Sequence, residues 1–408
     1  MARIDPARLD IRLTLLPLYA AVAWVVGALV LAGKGEAGGA AGLWSILHAV
    51  ILGVAVNAVA GTGLQMGSAV LGVPPPRRSM SWWVAIIAYN VSLVAMLTAA
   101  LVEAQTMRRM AAVATAGALA AWALPLSVRT LRGCGDRTAR LALAAGLGGL
   151  VVAAVVGAAR LNGFVLPGGK AAHAVLGLAG GLLSIVLGAS RAILPTLLGL
   201  SVSSGFAWRG AIGISVVILM AWMTPWMSDW GIWWRMWGSV LLAIAVSAQV
   251  PLWRRKTGRQ PTLALAWICA WLCMVVAGGT MLLYGTETAR QAALLLAVVA
   301  LMTAMPTTLL PIAGFVSWWR LRTHVPRGTQ VPGMGLLQPE RLRAVWLMLR
   351  LSAASAWLVL LWPSARPPIL RLAIGLETAA VLALLVAFLA PVFNAHRFRR
   401  SLHLDQSP

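Results

Sequence analysis

An all-helical, polytopic membrane protein is the fold class this sequence predicts, and three observations predict it. Of 408 residues, 60% are hydrophobic and 11% charged, with a mean hydropathy of +0.86; a soluble domain is about 45–50% apolar and about 25% charged. The apolar residues gather into runs of about 20, the length a helix needs to cross a bilayer. The charge is lopsided, with 33 Lys and Arg against 10 Asp and Glu, and the basic residues collect between the runs. This composition excludes a water-soluble enzyme, a disordered tail and a secreted disulfide scaffold. The net charge of +23 does not point to nucleic acid, because no segment between runs is long enough to present a soluble basic face.

Cutting the chain at charges, prolines and glycine clusters gives twelve runs: 12–32, 43–70, 81–103, 110–128, 139–160, 171–199, 208–228, 232–252, 262–284, 290–318, 343–362 and 368–394. The first is preceded by Arg3 and Arg8 and is too long for a signal-peptide core, so it reads as a retained helix. Orientation follows from the cations between runs. If the N-terminus defines one side, the opposite side holds nine of them: Lys34, Arg108, Arg109, Arg160, Lys170, Arg235, Arg290, Arg366 and Arg371. Arg191 and Arg350 fall within runs, and the remaining 22 of the 33 share the side of the N-terminus. The positive-inside rule then places both termini in the cytoplasm of a bacterial inner membrane. Trp222, Trp226, Trp230, Trp233, Trp234 and Trp237 crowd the turn between the seventh and eighth runs, where an aromatic belt at the headgroups is expected. Cys269 and Cys273, one helical turn apart in an apolar run, read as small packing residues, and with Cys134 they make no disulfide framework.

The second and sixth runs align without gaps. His48-Ala49-Val50 falls on His173-Ala174-Val175, and Gly63 on Gly188, an offset of 125 residues; Leu194-Pro195 matches Leu310-Pro311 at an offset of 116. Three units of four helices, 1–132, 133–256 and 257–408, are the expectation, in a pseudo-threefold arrangement within a single membrane domain. Internal repeats are also common in transporters, so the repeat alone selects no function.

Ionisable side chains inside a membrane are costly and mark function by default. His48 and His173 are the two histidines in runs; His324, His396 and His403 lie in inner segments. Both run histidines sit near the outer start of an inward-running helix, at matched depth. Two such imidazoles either ligate one haem iron axially, as a b-type haem, or hydrogen-bond neighbouring helices. Asn57, Gln65, Ser184, Ser190, Arg191 and Glu377 are the other polar groups in runs. They serve either as interhelical hydrogen bonds or, in the case of Asn57, Gln65, Arg191 and Glu377, as the lining of a polar path. Glu377, near the middle of its run, is expected to be paired or protonated, and Arg191 and Arg350 to snorkel. Arg366 and Arg371, with Arg108 and Arg109, are outer arginines, suited to haem propionates or to lipid phosphate.

With a His near the outer end of the second of twelve helices, the chain resembles subunit I of the haem-copper oxidases and the nitric-oxide reductases. It is closest in texture to the NnrS-like bacterial membrane proteins. The matching stretches are His48 to Met66, His173 to Pro195, Leu309 to Trp319 and Val331 to Arg341, about a third of the chain. The resemblance implies that His48 is a haem ligand and that Arg366 and Arg371 hold propionates. The six metal-ligand histidines of the oxidases are not matched: the seventh and tenth runs carry none. No copper is expected, and the chain is not a competent oxygen or nitric-oxide reductase by itself. The resulting expectation is an oxidase-like protein that binds one haem b through His48 and His173, for electron transfer or gas sensing. A permease for a small solute, and a structural or assembly subunit of a respiratory membrane complex, are the alternatives.

Overall fold

A computed structural model describes parts of residues 17–28, then 44–45, 47–61, 63, 71–73, 79–164, 169–198, 204–224, 230–253, 261–283, 287–325, 328–359 and 366–404. Among these residues every regular element is a helix. The apolar helices are α1 (Tyr19–Ala28) and α2 (Ala49–Gly61), followed by α3 (Ser79–Leu101), α4 (Gln105–Leu131) and α5 (Arg137–Leu161). Helix α6 is continuous from Gly169–Val175 through Leu176–Leu183 to Ser184–Leu198. Then come α7 (Ser204–Met223), α8 (Trp230–Trp253), α9 (Pro261–Leu283), α10 (Glu287–His324), α11 (Glu340–Val359) and α12 (Arg366–Leu404). Among the described residues, six helical segments are long and apolar enough to cross a membrane: Met80–Leu101, Gln105–Leu131, Arg137–Leu161, Ala172–Ala192, Pro261–Leu283 and Leu372–Ser401. The protein is therefore a multi-pass membrane protein in its helical composition. Without water in a bilayer core, each backbone N–H and C=O must be satisfied within its own segment, and a helix does this.

The helices pack in chain order. One series runs α3, α4, α5, α6; the other runs α8, α9, α10, with α12 against both α10 and α11. Helix α7 touches α5 and α6, and α6 touches α10, joining the two series. Short polar turns make the order possible. Between α4 and α5, Asp136 caps α5 by accepting the Ala139 N–H at 2.7 Å, which satisfies one of the orphan donors of a helix start. In the same turn, the amides of Cys134 and Gly135 donate to Leu71 O at 2.9 and 3.1 Å. A Cβ on Gly133 would lie 2.4 Å from that oxygen, so only glycine allows the approach.

Small residues set the closest crossings. A Cβ on Gly149 would meet Gly180 O at 2.5 Å, and one on Gly146 would meet Ile185 Cγ1 at the same distance. Gly238 and Gly278 face each other's carbonyl oxygens in the same way where α8 crosses α9. In lipid, where association relies on close van der Waals contact, small residues let backbones meet.

Of the six tryptophans expected at the headgroups, Trp233, Trp234 and Trp237 are buried, and the Nε1–H groups of Trp233 and Trp237 both donate to Thr224 Oγ1. These three rings face into the α7–α8 junction instead of outward, and a shared buried hydroxyl gives the N–H groups of Trp233 and Trp237 a partner that lipid would not. Trp226 and the side chains of Trp222 and Trp230 lie outside the described residues. Another expectation is corrected: Arg350 does not snorkel. It is buried, and its Nη1 donates to both carboxylate oxygens of Glu377, at 2.8 and 2.6 Å.

Candidate functional site: a facing histidine pair

Both histidines stand where helix geometry departs from the α form. His48 immediately precedes a π-helical segment, Ala49–Val56, and His173 precedes another, Leu176–Leu183. The two segments are each eight residues long and lie within about two residues of corresponding places in the sequence repeat. π-Turns are rare and concentrate at functional sites, because they widen the helix and leave carbonyls without their usual partner. Here side chains use such carbonyls: Tyr89 Oη donates to Leu52 O at 2.8 Å, and Asn57 Nδ2 donates to Gly53 O at 2.7 Å. Ser184 Oγ, at the end of the second segment, donates to Ala179 O at 3.0 Å.

The structure brings His48 and His173 together. Their ring centres lie 6.2 Å apart and their planes differ by 11°. Nearly parallel planes at that centre separation describe an offset pair, not a face-to-face sandwich. Each ring is oriented through Nδ1. His48 Nδ1 lies 2.8 Å from Trp44 O, one turn back on its own strand of chain. His173 Nδ1 lies 2.9 Å from Ala153 O on α5. A carbonyl oxygen only accepts, so in the neutral ring each Nδ1 carries the proton and each Nε2 presents a lone pair. No hydrogen bond occupies either Nε2 among the described residues. The rest of the pocket fixes the rings. Trp44 lies 4.1 Å from His48 between ring centres, tilted by 31°. Gly157 of α5 supplies a flat floor for His173: a Cβ there would come within 2.8 Å of Cε1.

Two imidazoles held through Nδ1 by carbonyls, with no hydrogen bond on either Nε2 among the described residues, match the way metal-binding histidines are oriented from behind. Allowing about 2.0 Å for each metal–nitrogen bond and about 1.2 Å from nitrogen to ring centre, rings turned toward one ion from opposite sides would stand about 6.4 Å apart, the scale of the separation here. Among the described residues no three His, Cys, Asp or Glu side chains converge on a point.

The other sequence-predicted residues disperse. Asn57 is buried and exchanges hydrogen bonds with Asn90 of α3 at 3.0 and 2.9 Å, while Trp24 Nε1 donates to the same Asn90 Oδ1 at 2.7 Å. Arg191 pairs with Asp136, its Nε to Oδ1 at 2.9 Å and its Nη2 to Oδ2 at 3.1 Å. Burial works against the Asp136 charge, but the hydrogen bonds from Arg191 and from the Ala139 amide outweigh it and hold the carboxyl below its ordinary value. Glu377 belongs to Arg350. These contacts lie at three separate helix pairs and line no common path. Gln65 lies outside the described residues; Arg366 and Arg371 are placed in α12, but their side chains lie outside them. Arg160 of α5 was not singled out by the sequence. It lies one turn beyond Gly157, and the only signal that could have found it is its place among the nine cations of the less basic side. Comparisons with protein-family models, with curated proteins and with solved structures give no match.

Proposed function

We propose that this protein is a membrane haem protein in which His48 and His173 are the two axial ligands of one b-type haem, and that it transfers electrons. The observation that carries the reading is the near-parallel pair of imidazoles at 6.2 Å, each with Nδ1 on a backbone carbonyl. When bound, the haem supplies a one-electron carrier. The chain's own groups do the rest. Trp44 O and Ala153 O fix the tautomers and raise the basicity of the Nε2 atoms. Gly157 lets the His173 ring lie against α5, and Trp44 shields His48 on its other flank. Were His48 and His173 both to hold the iron, the chain's own imidazoles would occupy the places a substrate would need. This favours electron transfer over gas sensing and over oxygen or nitric-oxide reduction, for which the chain lacks the copper-site histidines. The finer architecture belongs to the same proposal: twelve spans in three four-helix units, oxidase-like and NnrS-like, in a bacterial inner membrane, with both termini cytoplasmic and a respiratory membrane subunit as redox partner. The Lys and Arg asymmetry and the repeat support it. The permease reading gains nothing from Asn57, Arg191 and Glu377, each committed to a partner of its own.

The test is an absorption spectrum of the protein purified from haem-replete cells. A reduced-minus-oxidised spectrum of low-spin, b-type form is expected, lost in His48→Ala and in His173→Ala. A folded, monodisperse and colourless preparation that takes up no haem on titration sinks the reading, as does a spectrum that both variants leave unchanged.

A further inference from the structure

Two arginines flank the histidine pair in equivalent places. Arg108 of α4 has its guanidinium carbon 5.9 Å from the centre of the Trp44 ring, and Trp44 is four residues before His48. Arg160 of α5 has its Nη1 against Gly169, 3.3 Å from where a Cβ on that glycine would lie, and Gly169 is four residues before His173. Trp44 and Gly169 are thus the same register on the two repeat-related stretches, one helical turn, or about 6 Å, to the N-terminal side of each imidazole. Arg108 Nε and Arg160 Nη1 are buried without a hydrogen-bond partner. Buried guanidinium nitrogens without a partner also occur on Arg343 and Arg350, but those groups are already held by Glu340 and Glu377. Arg108 donates through Nη2 to Gln105, a neutral partner, and neither Arg108 nor Arg160 makes an ion pair among the described residues.

A buried guanidinium donor without a partner is expensive, and carboxylates satisfy it best, through short charge-assisted bonds. Two fixed positive charges beside the histidines also disfavour a bare metal cation and favour a group that brings its own negative charge. From these placements we propose that Arg108 and Arg160 form a two-point site for a dicarboxylate, one arm beside each histidine, and that its occupant is the pair of propionates on the porphyrin. This rests on the haem reading above. It stands beside Arg366 and Arg371, whose side chains lie outside the described residues, as a second pair of propionate anchors and separates recognition into two parts: Nε2 atoms for the iron, guanidinium groups for the acid arms. The anionic oxygens of a lipid phosphate share the same chemistry, so the experiment has to tell the two sources apart.

The probes are iron protoporphyrin IX and its dimethyl ester, titrated into haem-depleted full-length protein in detergent, with the absorption change as readout. The unaltered protein is expected to bind the free acid about 10- to 100-fold more tightly than the ester. Arg108→Gln and Arg160→Gln are each expected to weaken the free acid by about tenfold and leave the ester unchanged, so that the double variant no longer discriminates. Arg→Lys at either place should recover part of the difference. Equal affinity of the unaltered protein for acid and ester overturns the proposal whatever the variants do, because that comparison requires no substitution. Discrimination that survives in the folded double variant overturns it too, by placing the acid arms elsewhere. If neither porphyrin gives a histidine-ligated spectrum, the haem reading itself has failed, and with it this assignment; that outcome differs from equal tight binding of both.

Discussion

Two of the places where the molecule buries ionisable groups treat them oppositely. Between α11 and α12, Arg350 and Glu377 close on each other, cation to carboxylate, within 2.8 Å. Between α2 and α6, two imidazoles stand nearly parallel with no hydrogen bond on either Nε2 among the described residues, flanked by two guanidinium groups that form no ion pair among them. A buried ion pair that satisfies itself is a structural element, needed once the charges are there and of no use to a ligand. Imidazoles fixed from behind through Nδ1 present their other nitrogen in a set direction. The contrast separates a closed internal bond from an oriented donor pair better than burial does, since both lie in apolar surroundings.

The largest effect should come from breaking the closed site. Glu377→Ala leaves Arg350 buried without a counter-charge and is expected to cost about 3–5 kcal/mol, read as a fall in the thermal midpoint in detergent. Replacing both partners by apolar residues of similar volume should restore most of it. If Glu377→Ala is neutral, the guanidinium has access to water or lipid headgroups and the two sites are less different than they look.

The open site should respond differently. Gly157→Val pushes a methyl group into the His173 ring, where even a Cβ would come within 2.8 Å. Overpacking of this kind costs about 1–3 kcal/mol, but the sharper consequence is a loss of haem affinity and a shift from low-spin to high-spin absorption as one ligand is displaced. Gly157→Ala should show the same spectral change in weaker form. An unchanged spectrum in the valine variant would mean that α5 does not position the ring.

A third and smaller effect calibrates both. Asp136 caps α5 and receives Arg191, and its side chain is 41% exposed. Asp136→Asn keeps a side-chain oxygen that can cap α5 and removes only the charge, so it is expected to cost about 0.5 kcal/mol at neutral pH, the scale of an exposed pair. Its carboxyl is held below the ordinary value of 3.8. The stabilisation is therefore present in full above that value and is lost as pH falls through the lower, folded-state value. The gap between the unaltered protein and Asp136→Asn should stay constant from pH 7 to about 5 and narrow below about 4. A gap that widens in acid would contradict the sign of the shift.

How much of this could be read from the residues differs by level. Composition alone leads to a helical membrane protein, because a bilayer admits so few backbone solutions. The repeat that aligns His48 with His173 draws attention to the two side chains that the fold brings together, since equal depth on related helices is a property of position along the chain. What could not be read is lateral. That Arg350 would find Glu377, 27 residues away on another helix, or that Trp233 and Trp237 would turn inward to one threonine, depends on helix rotation about its own axis. In a uniformly apolar sequence, no hydrophobic face declares that rotation. Arg160 was missed for the same reason: its place beside the His173 helix follows from the glycine-lined crossing of α5 and α6, which small residues allow but do not announce.

The eight-residue wide segments after each histidine carry a last consequence. A π-turn holds a residue more than an α-turn would need to cover the same rise, so each segment acts as a spacer in angle as well as in length. Excising one residue from Leu176–Leu183 would let the helix relax to ordinary α geometry over nearly the same rise, so its two flanks would keep their phase and the imidazole its carbonyl on α5. Adding one residue of ordinary helix between His173 and that segment would instead rotate everything on its N-terminal side by about 100°, one residue's share of a 3.6-residue turn, for only about 1.5 Å of extra span. An insertion variant that is folded but blind to porphyrin, beside a deletion variant that still binds it, would show that the pairing of the two rings is tuned by helical phase, not by the choice of histidine alone.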